Sequence, residues 1–373
     1  MKFTVSSSDL LKHVQVAAGA LSSNPVLPPI LENFLFEVAD DRLTICATDL
    51  ETSIFTSLPV QADEDFSVAV PAKILQDTLK ALPQQPITFS VTPENRSIEI
   101  TSSYGKYKVA GEDGTQFPEI PQPQNVDSVK IGSRHLQEAI AKTIFATSSD
   151  DLRPAMSGVY FEVDFNRLTC VATDAHKLVK FTTPHLAGEV ATSFIVPKKA
   201  LNLLKNALPN DTTAQISFNR TNAFFTFGDV LLVCRLIDAR YPDYNAVIPV
   251  ENPNRLTVHR SDFQNSLRRI AIFANKTTNQ VILDISPNLL TLSAQDLDFS
   301  NEATEQMPCT YEGTPLRIAF NARFLIEMLS VLDSEEVRIE LSTPSRAGII
   351  TPIEDANADR EILMLVMPVM LNA

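Results

Sequence analysis

Three aspartates, Asp49, Asp174 and Asp296, each close a hydrophobic run and lie 125 and 122 residues apart. A carboxylate two residues from an imidazole, as in Asp174 and His176, has the makings of half a general acid–base pair. The chain offers no serine or cysteine nucleophile motif beside it. Asp296-Leu297-Asp298 carries oxygen ligands of the kind a divalent cation takes. An aspartate that returns once per repeat at a strand end reads instead as a turn. His13, His135, His185 and His259 show no metal-ligand spacing. The four cysteines (Cys46, Cys170, Cys234 and Cys309) lie far apart with no C-x-x-C pair, so free buried thiols are expected rather than a zinc cage or a disulfide framework. Glycine is scarce, 10 of 373 residues, and no Walker loop, G-x-G-x-x-G or G-x-S-x-G occurs. The expectation is a protein without catalysis, cofactor or metal.

The elements that carry these residues recur. Phe34–Val38 through Leu43–Asp49 has a near twin in Val159–Val163 through Leu168–Asp174, and a weaker copy in Val281–Ile285 through Leu290–Asp296. Val70-Pro71-Ala72-Lys73-Ile74-Leu75 matches Val196-Pro197-Lys198-Lys199-Ala200-Leu201, and Phe320-Asn321-Ala322-Arg323-Phe324-Leu325 is the third member. A third marker opens each unit, at Ser8, Ser133 and Arg260. Three markers in phase at a period near 125 predict three homologous domains, over 1–124, 125–252 and 253–373. Their joints fall in proline- and asparagine-bearing segments.

Helical spacing predicts six helices, over 8–21, 71–82, 133–146, 197–208, 260–274 and 321–333. Ser8 or Asp9, Ser133 and Ser261 are the N-cap candidates. Pro71 and Pro197 suit a first helical position, while Pro83 and Pro209 stop the helices. Short alternating runs such as Ile98–Thr101 and Phe224–Phe227 predict strands. The fold class is α+β, with two helices on antiparallel sheet in each domain.

The chain is acidic, 31 Lys+Arg against 45 Asp+Glu. That total argues against a general nucleic-acid binder. The charge is segregated, however: the six helices hold twelve basic residues and six acidic ones, leaving 19 basic against 39 acidic elsewhere. Basic helices in an acidic chain suit a polyanion met through phosphates, and the absence of interleaved aromatics argues against base stacking. Lys and Arg also favour solvated helix faces. A repeat scaffold that docks peptides and never meets DNA is therefore the rival reading.

Together these residues resemble the bacterial sliding clamp family, the beta subunits of DNA polymerase III, along the whole chain. The resemblance is carried by Met1–Val5, Thr173-Asp174-Ala175-His176-Lys177-Leu178, Tyr241-Pro242-Asp243-Tyr244 and Val366-Met367-Pro368-Val369-Met370-Leu371, in order and at family spacing. It implies a head-to-tail homodimer forming a closed ring, with basic helices inside around double-stranded DNA held without sequence specificity. DNA-facing positions would be Lys73, Lys80, Lys142, Lys198, Lys199, Lys205, Arg268 and Arg269. It implies a pocket for short peptide motifs of DNA polymerase III and other clamp-binding proteins. Its lining would be Met156, Thr173, Ala175, His176, Lys177, Leu178, Pro242, Val247, Ile350, Leu365, Val366, Met367, Pro368, Val369, Met370 and Leu371. It further implies a clamp loader as a partner and a dimer interface at Tyr107, Val109, Ile272 and Phe273.

This chain departs from the family pattern at Ala246, where a basic residue is common, and at Met370, where the family ends Met-Arg-Leu. Asn372 and Ala373 follow as an extension. Ala175 replaces a common glycine, Asn24 an arginine, and Pro154-Ala155 a pair of tyrosines. The opening strand pattern carries no signal peptide and the longest apolar run, 362–371, is about half a membrane span. The expectation is a cytoplasmic protein with no membrane contact.

Overall fold

The computed structural model describes residues 1–22, 24–188, 190–353 and 359–371. One order of elements runs through it three times. A strand (Lys2–Ser6, Asp127–Gly132, Asn254–His259) leads directly into a helix: α1 (Ser7–Ala17), α3 (Ser133–Thr143) or α5 (Arg260–Ile270). Strands follow, and then the second helix: α2 (Ala72–Ala81), α4 (Lys198–Ala207) or α6 (Ala322–Ser330). Three more strands follow in each repeat, and in the first a two-residue strand, Glu112–Asp113, comes after them. This is a three-domain α+β fold with antiparallel sheets.

The helix expectations hold, with differences at the ends. α1, α3 and α5 finish as 3₁₀ turns over Ala18–Ala20, Ile144–Ala146 and Ala271–Phe273. Pro71 and Pro197 are the last residues of strands Phe66–Pro71 and Ala191–Pro197, one position before the helix. Pro71 sits at the N-cap with ψ 115°, an extended value that a proline within the helix could not keep.

The serine caps are corrected more fully. Ser8, Asp9, Ser133 and Ser261 all lie inside helices, and the N-caps of α1 and α5, Ser6 and His259, make no side-chain cap bond. The first helical N–H is satisfied from elsewhere in the same domain. Ser7 N donates to Gln85 O (2.9 Å), Ser133 N to Thr212 O (2.8 Å) and Arg260 N to Glu335 O (2.8 Å). A tertiary backbone contact has taken over the work of the local cap.

The contacts fall into two compact units, Met1–Gln137 with Lys199–Leu236, and Glu138–Lys198 with Ile237–Ala373. In the first, strand Thr52–Pro59 pairs antiparallel with Val230–Arg235, so one sheet passes from the first repeat into the second. In the second, Lys177–Thr183 pairs with Glu361–Val366 in the same way. Each unit has an aromatic core: Phe3 stacks on Phe89 at 4.8 Å, and Phe161 on Phe194 at 5.8 Å.

Cys46, Cys170 and Cys234 are buried and Cys309 half-buried, all four as free thiols. Burial raises the Cys46, Cys170 and Cys234 thiols, the last to about 12. Because the thiolate is the reactive form, these three are expected to resist a thiol reagent at pH 8 until the chain unfolds, while Cys309 reacts first. Labelling of the native protein followed by peptide mass mapping checks this; four equally fast thiols would contradict the packing.

Candidate functional site

The Thr173–Leu178 stretch is a strand end, a turn and the start of the next strand. Asp174 Oδ1 accepts from the N–H groups of His176 and Lys177, both at 2.9 Å, and so closes the turn. Asp49 does the same for Glu51 N and Thr52 N, and Asp296 accepts from Asp298 N. All three aspartates are turn residues, which disposes of the acid–base pairing with His176. Among the described residues no group of three or more His, Cys, Asp or Glu could hold a metal ion.

The turn is strained at Ala175, whose φ of 76° lies in the left-handed region. Two residues on, Lys177 is only 5% exposed although it is charged. Its Nζ lies 2.7 Å from Asp174 Oδ2, 3.4 Å from Glu327 Oε2 and 4.3 Å from the centre of the Phe324 ring. Buried charge persists only with such partners. His176, exposed, stacks on the other part of this arrangement, 6.2 Å from the Phe324 ring centre.

The C-terminal strand supplies the other wall. Leu365 lies opposite Leu178, and both join Val171, Ile195, Tyr241, Tyr244 and Ala347 in one buried apolar cluster. Tyr160 stacks on Tyr241 at 4.5 Å. Tyr244 donates to the Glu162 carboxylate; burial first, and that bond second, push its phenol well above the ordinary range. Beyond Val366 the chain is held twice by backbone bonds. Met367 N donates to His176 O and Val369 N to Ala319 O, both at 2.8 Å.

The structure therefore sorts the sixteen expected lining residues. Ala175, His176, Pro242, Val247, Met367 and Met370 are exposed, and Met156, Pro368, Val369 and Leu371 are half-buried. Thr173, Lys177, Leu178, Ile350, Leu365 and Val366 are buried. These six lie under the exposed members of the set, Lys177 among them although it is charged. Asn372 and Ala373 lie outside the described residues. Phe324 and the Tyr160–Tyr241–Tyr244 group were missed by sequence reasoning. The available signal was Phe324 itself, an aromatic where the other repeats carry Ile74 and Ala200.

The basic positions are sorted likewise. Lys142 donates to Val331 O and pairs with Asp333 at 2.6 Å, its side chain only 12% exposed, so it braces α6 instead of facing a ligand. Lys199 is paired with Asp49, and Arg269 makes a two-pronged bond to Glu305. Lys73, Lys80, Lys198, Lys205 and Arg268 have no ion pair among the described residues, and Lys73, Lys80 and Arg268 are exposed. Ile272 and Phe273 stand 64% and 38% exposed, and Tyr107 and Val109 are half-buried on the outer strand of their sheet.

Family models of the DNA polymerase III beta subunit match in order: the N-terminal domain over residues 1–121, the central domain over 130–243 and the C-terminal domain over 245–368. The chain belongs to the DNA polymerase III beta subunit family. It is 30% identical to the beta sliding clamps of Synechococcus elongatus and Escherichia coli K12, over the full length of both chains in each case. Among solved structures it resembles the DNA polymerase sliding clamp of Bacillus subtilis (TM-score 0.94, 26% identity) and a Pseudomonas aeruginosa clamp bound to griselimycin (0.93, 27%), again over the whole of each chain.

Relieving the left-handed strain at Ala175 outweighs the extra freedom a glycine gives the unfolded chain. Ala175→Gly is expected to stabilise the second unit by about 0.5–1 kcal/mol. Urea denaturation checks it; a loss of stability would mean the turn is not strained.

Proposed function

We propose that this chain is a DNA sliding clamp, a non-catalytic processivity factor that holds double-stranded DNA without reading its sequence and tethers replication proteins through a peptide site. The observation that carries the reading is the ordered match of all three family domains along the chain, on a fold that repeats one element order three times. The domain limits are placed at 1–124, 125–252 and 253–373.

In this reading, phosphates of the duplex meet the unpaired cations Lys73, Lys80, Lys198, Lys205 and Arg268, with Lys199 and Arg269 held back by their carboxylates. A few cations without aromatics attract a backbone and leave it free to slide. The acidic remainder of the chain discourages DNA elsewhere. The partner site is the patch around His176, Val247, Met367 and Met370 over the Leu178–Leu365 floor. Methionines there can repack around different apolar anchors. A family relative solved with griselimycin bound is in keeping with a ligand site on such clamps.

The ring would be a head-to-tail homodimer. Lys106–Ala110 and Asn301–Pro308 are end strands of their sheets among the described residues, and an unpaired edge seeks a partner. Tyr107 and Val109 on one edge would meet the side of a second copy that carries Ile272 and Phe273. A clamp loader would open this joint. The cytoplasm is the compartment the reading requires; among the described residues no helix is long and apolar enough to cross a membrane.

Fluorescence anisotropy with a labelled Gln-x-x-Leu-x-Phe peptide tests the partner site. Micromolar binding is expected, lost when the chain is cut before Met367; no binding by the intact chain would refute the assignment. Lys198→Glu with Arg268→Glu is expected to shorten retention on circular DNA by about tenfold. Unchanged retention would remove these cations from the reading, and a parent chain that is not retained at all would favour the peptide scaffold that never meets DNA.

A further inference from the structure

The chain carries seven methionines and four cysteines, and their sulfurs are unevenly placed. Met328 and Met364 are enclosed at 0% exposure, and Cys46, Cys170 and Cys234 are buried as well. Met1, Met156, Met307 and Cys309 are half-buried. Met367 and Met370, at 41% and 71%, are the exposed sulfur-bearing side chains among the described residues. Both belong to the patch read above as the partner site, and half-buried Met156 is a third expected member of its lining. Sulfur that meets solvent is thus concentrated on the one surface proposed to hold a peptide.

That placement has a chemical consequence, because an accessible thioether is open to two-electron oxidation. A sulfur lone pair attacks one oxygen of a hydroperoxide. The O–O bond breaks, an S–O bond forms, and the other oxygen leaves as water or an alcohol, taking up the proton of the first. Sulfur gives up two electrons and the peroxide accepts them. Thiols compete as thiolates, and burial raises the three enclosed thiols away from that form.

We propose that Met367 and Met370 form an oxidation-sensitive modification site: a hydroperoxide turns them into sulfoxides, and the site then releases its peptide partner while the fold stays intact. The inference rests on the partner-site reading above and adds its regulation. Three observations carry it. The exposed surface there is chiefly apolar, with Pro242 and Val247 beside the methionines. A sulfoxide sets a strong hydrogen-bond acceptor into it, and a leucine or phenylalanine of the partner would strip water from that oxygen.

The second observation is that donors at this place are already engaged. Met367 N bonds His176 O and Val369 N bonds Ala319 O, Lys177 Nζ is held by Asp174 and Glu327, and Pro368 has no N–H. The sulfoxide oxygen covered by a peptide is left unpaired, which weakens binding by about tenfold. The third is the closed packing of Met328 and Met364, which leaves the core thioethers out of reach while the surface ones react. The change is reversible: a methionine sulfoxide reductase removes the oxygen as water while a dithiol becomes a disulfide.

The test uses the full chain and a labelled, methionine-free Gln-x-x-Leu-x-Phe peptide. The protein is titrated with hydrogen peroxide, sulfoxides are located by peptide mass mapping, and affinity is read by fluorescence anisotropy. Met367 and Met370 are expected to oxidise ahead of Met328 and Met364, with affinity falling about tenfold in step and the melting midpoint unchanged. Methionine sulfoxide reductases A and B with dithiothreitol should restore binding. A Met307→Leu, Cys309→Ser chain should lose affinity at the same peroxide dose; if it keeps its affinity, those sulfurs carry the effect and the assignment fails. Complete oxidation of Met367 and Met370 with unchanged binding would overturn the inference and leave the peptide site standing. A loss that follows Met156 alone, or one accompanied by a lower melting midpoint, would overturn it too. An untreated chain that binds no peptide would overturn both the inference and the partner site.

Discussion

The antiparallel ladder that crosses from one repeat into the next is the constraint on which this molecule depends. Thr52–Pro59 is bonded to Val230–Arg235 and Lys177–Thr183 to Glu361–Val366, so the last strand of one repeat completes the sheet of the repeat before it. Backbone groups that each domain alone would leave open are thereby satisfied. The compact units of the chain consequently do not coincide with the repeats: the central one contributes to both.

The candidate site is a by-product of the second ladder. Pairing Leu178 with Leu365 sets two apolar side chains over the Tyr241–Tyr244 cluster. The same ladder delivers the chain end past His176, where Met367 N finds a carbonyl, and on to Ala319. Charge at this place is spent internally. Lys177 is enclosed by Asp174, Glu327 and Phe324. With Ala246 beside Val247, the exposed part of the site is left chiefly apolar.

The same economy governs the helices. Of the eight basic helix positions expected to face DNA, Lys142, Lys199 and Arg269 are engaged by carboxylates within the protein. Exposed pairs of this kind add little stability, but they reduce the cationic field. In the proposed clamp, which must hold DNA while letting it slide, the pairing of Lys199 with Asp49 and of Arg269 with Glu305 would moderate the attraction.

Periodicity and the in-phase repeats alone determined the three-fold architecture, the six helices and the turn role of Asp49, Asp174 and Asp296, because these are local properties written into spacing. Family resemblance pointed to Thr173–Leu178 and Val366–Leu371 as parts of the candidate site. Tertiary structure alone decided how Ser7, Ser133 and Arg260 satisfy their N–H groups, since the acceptors lie more than seventy residues away in sequence. It alone decided which cations are free, because Asp333 and Glu305 become partners of Lys142 and Arg269 only after folding. How Phe324 and the tyrosine cluster pack was decided there for the same reason: an aromatic residue declares its hydrophobicity in sequence, whereas the surface it completes is built by strands from distant parts of the chain.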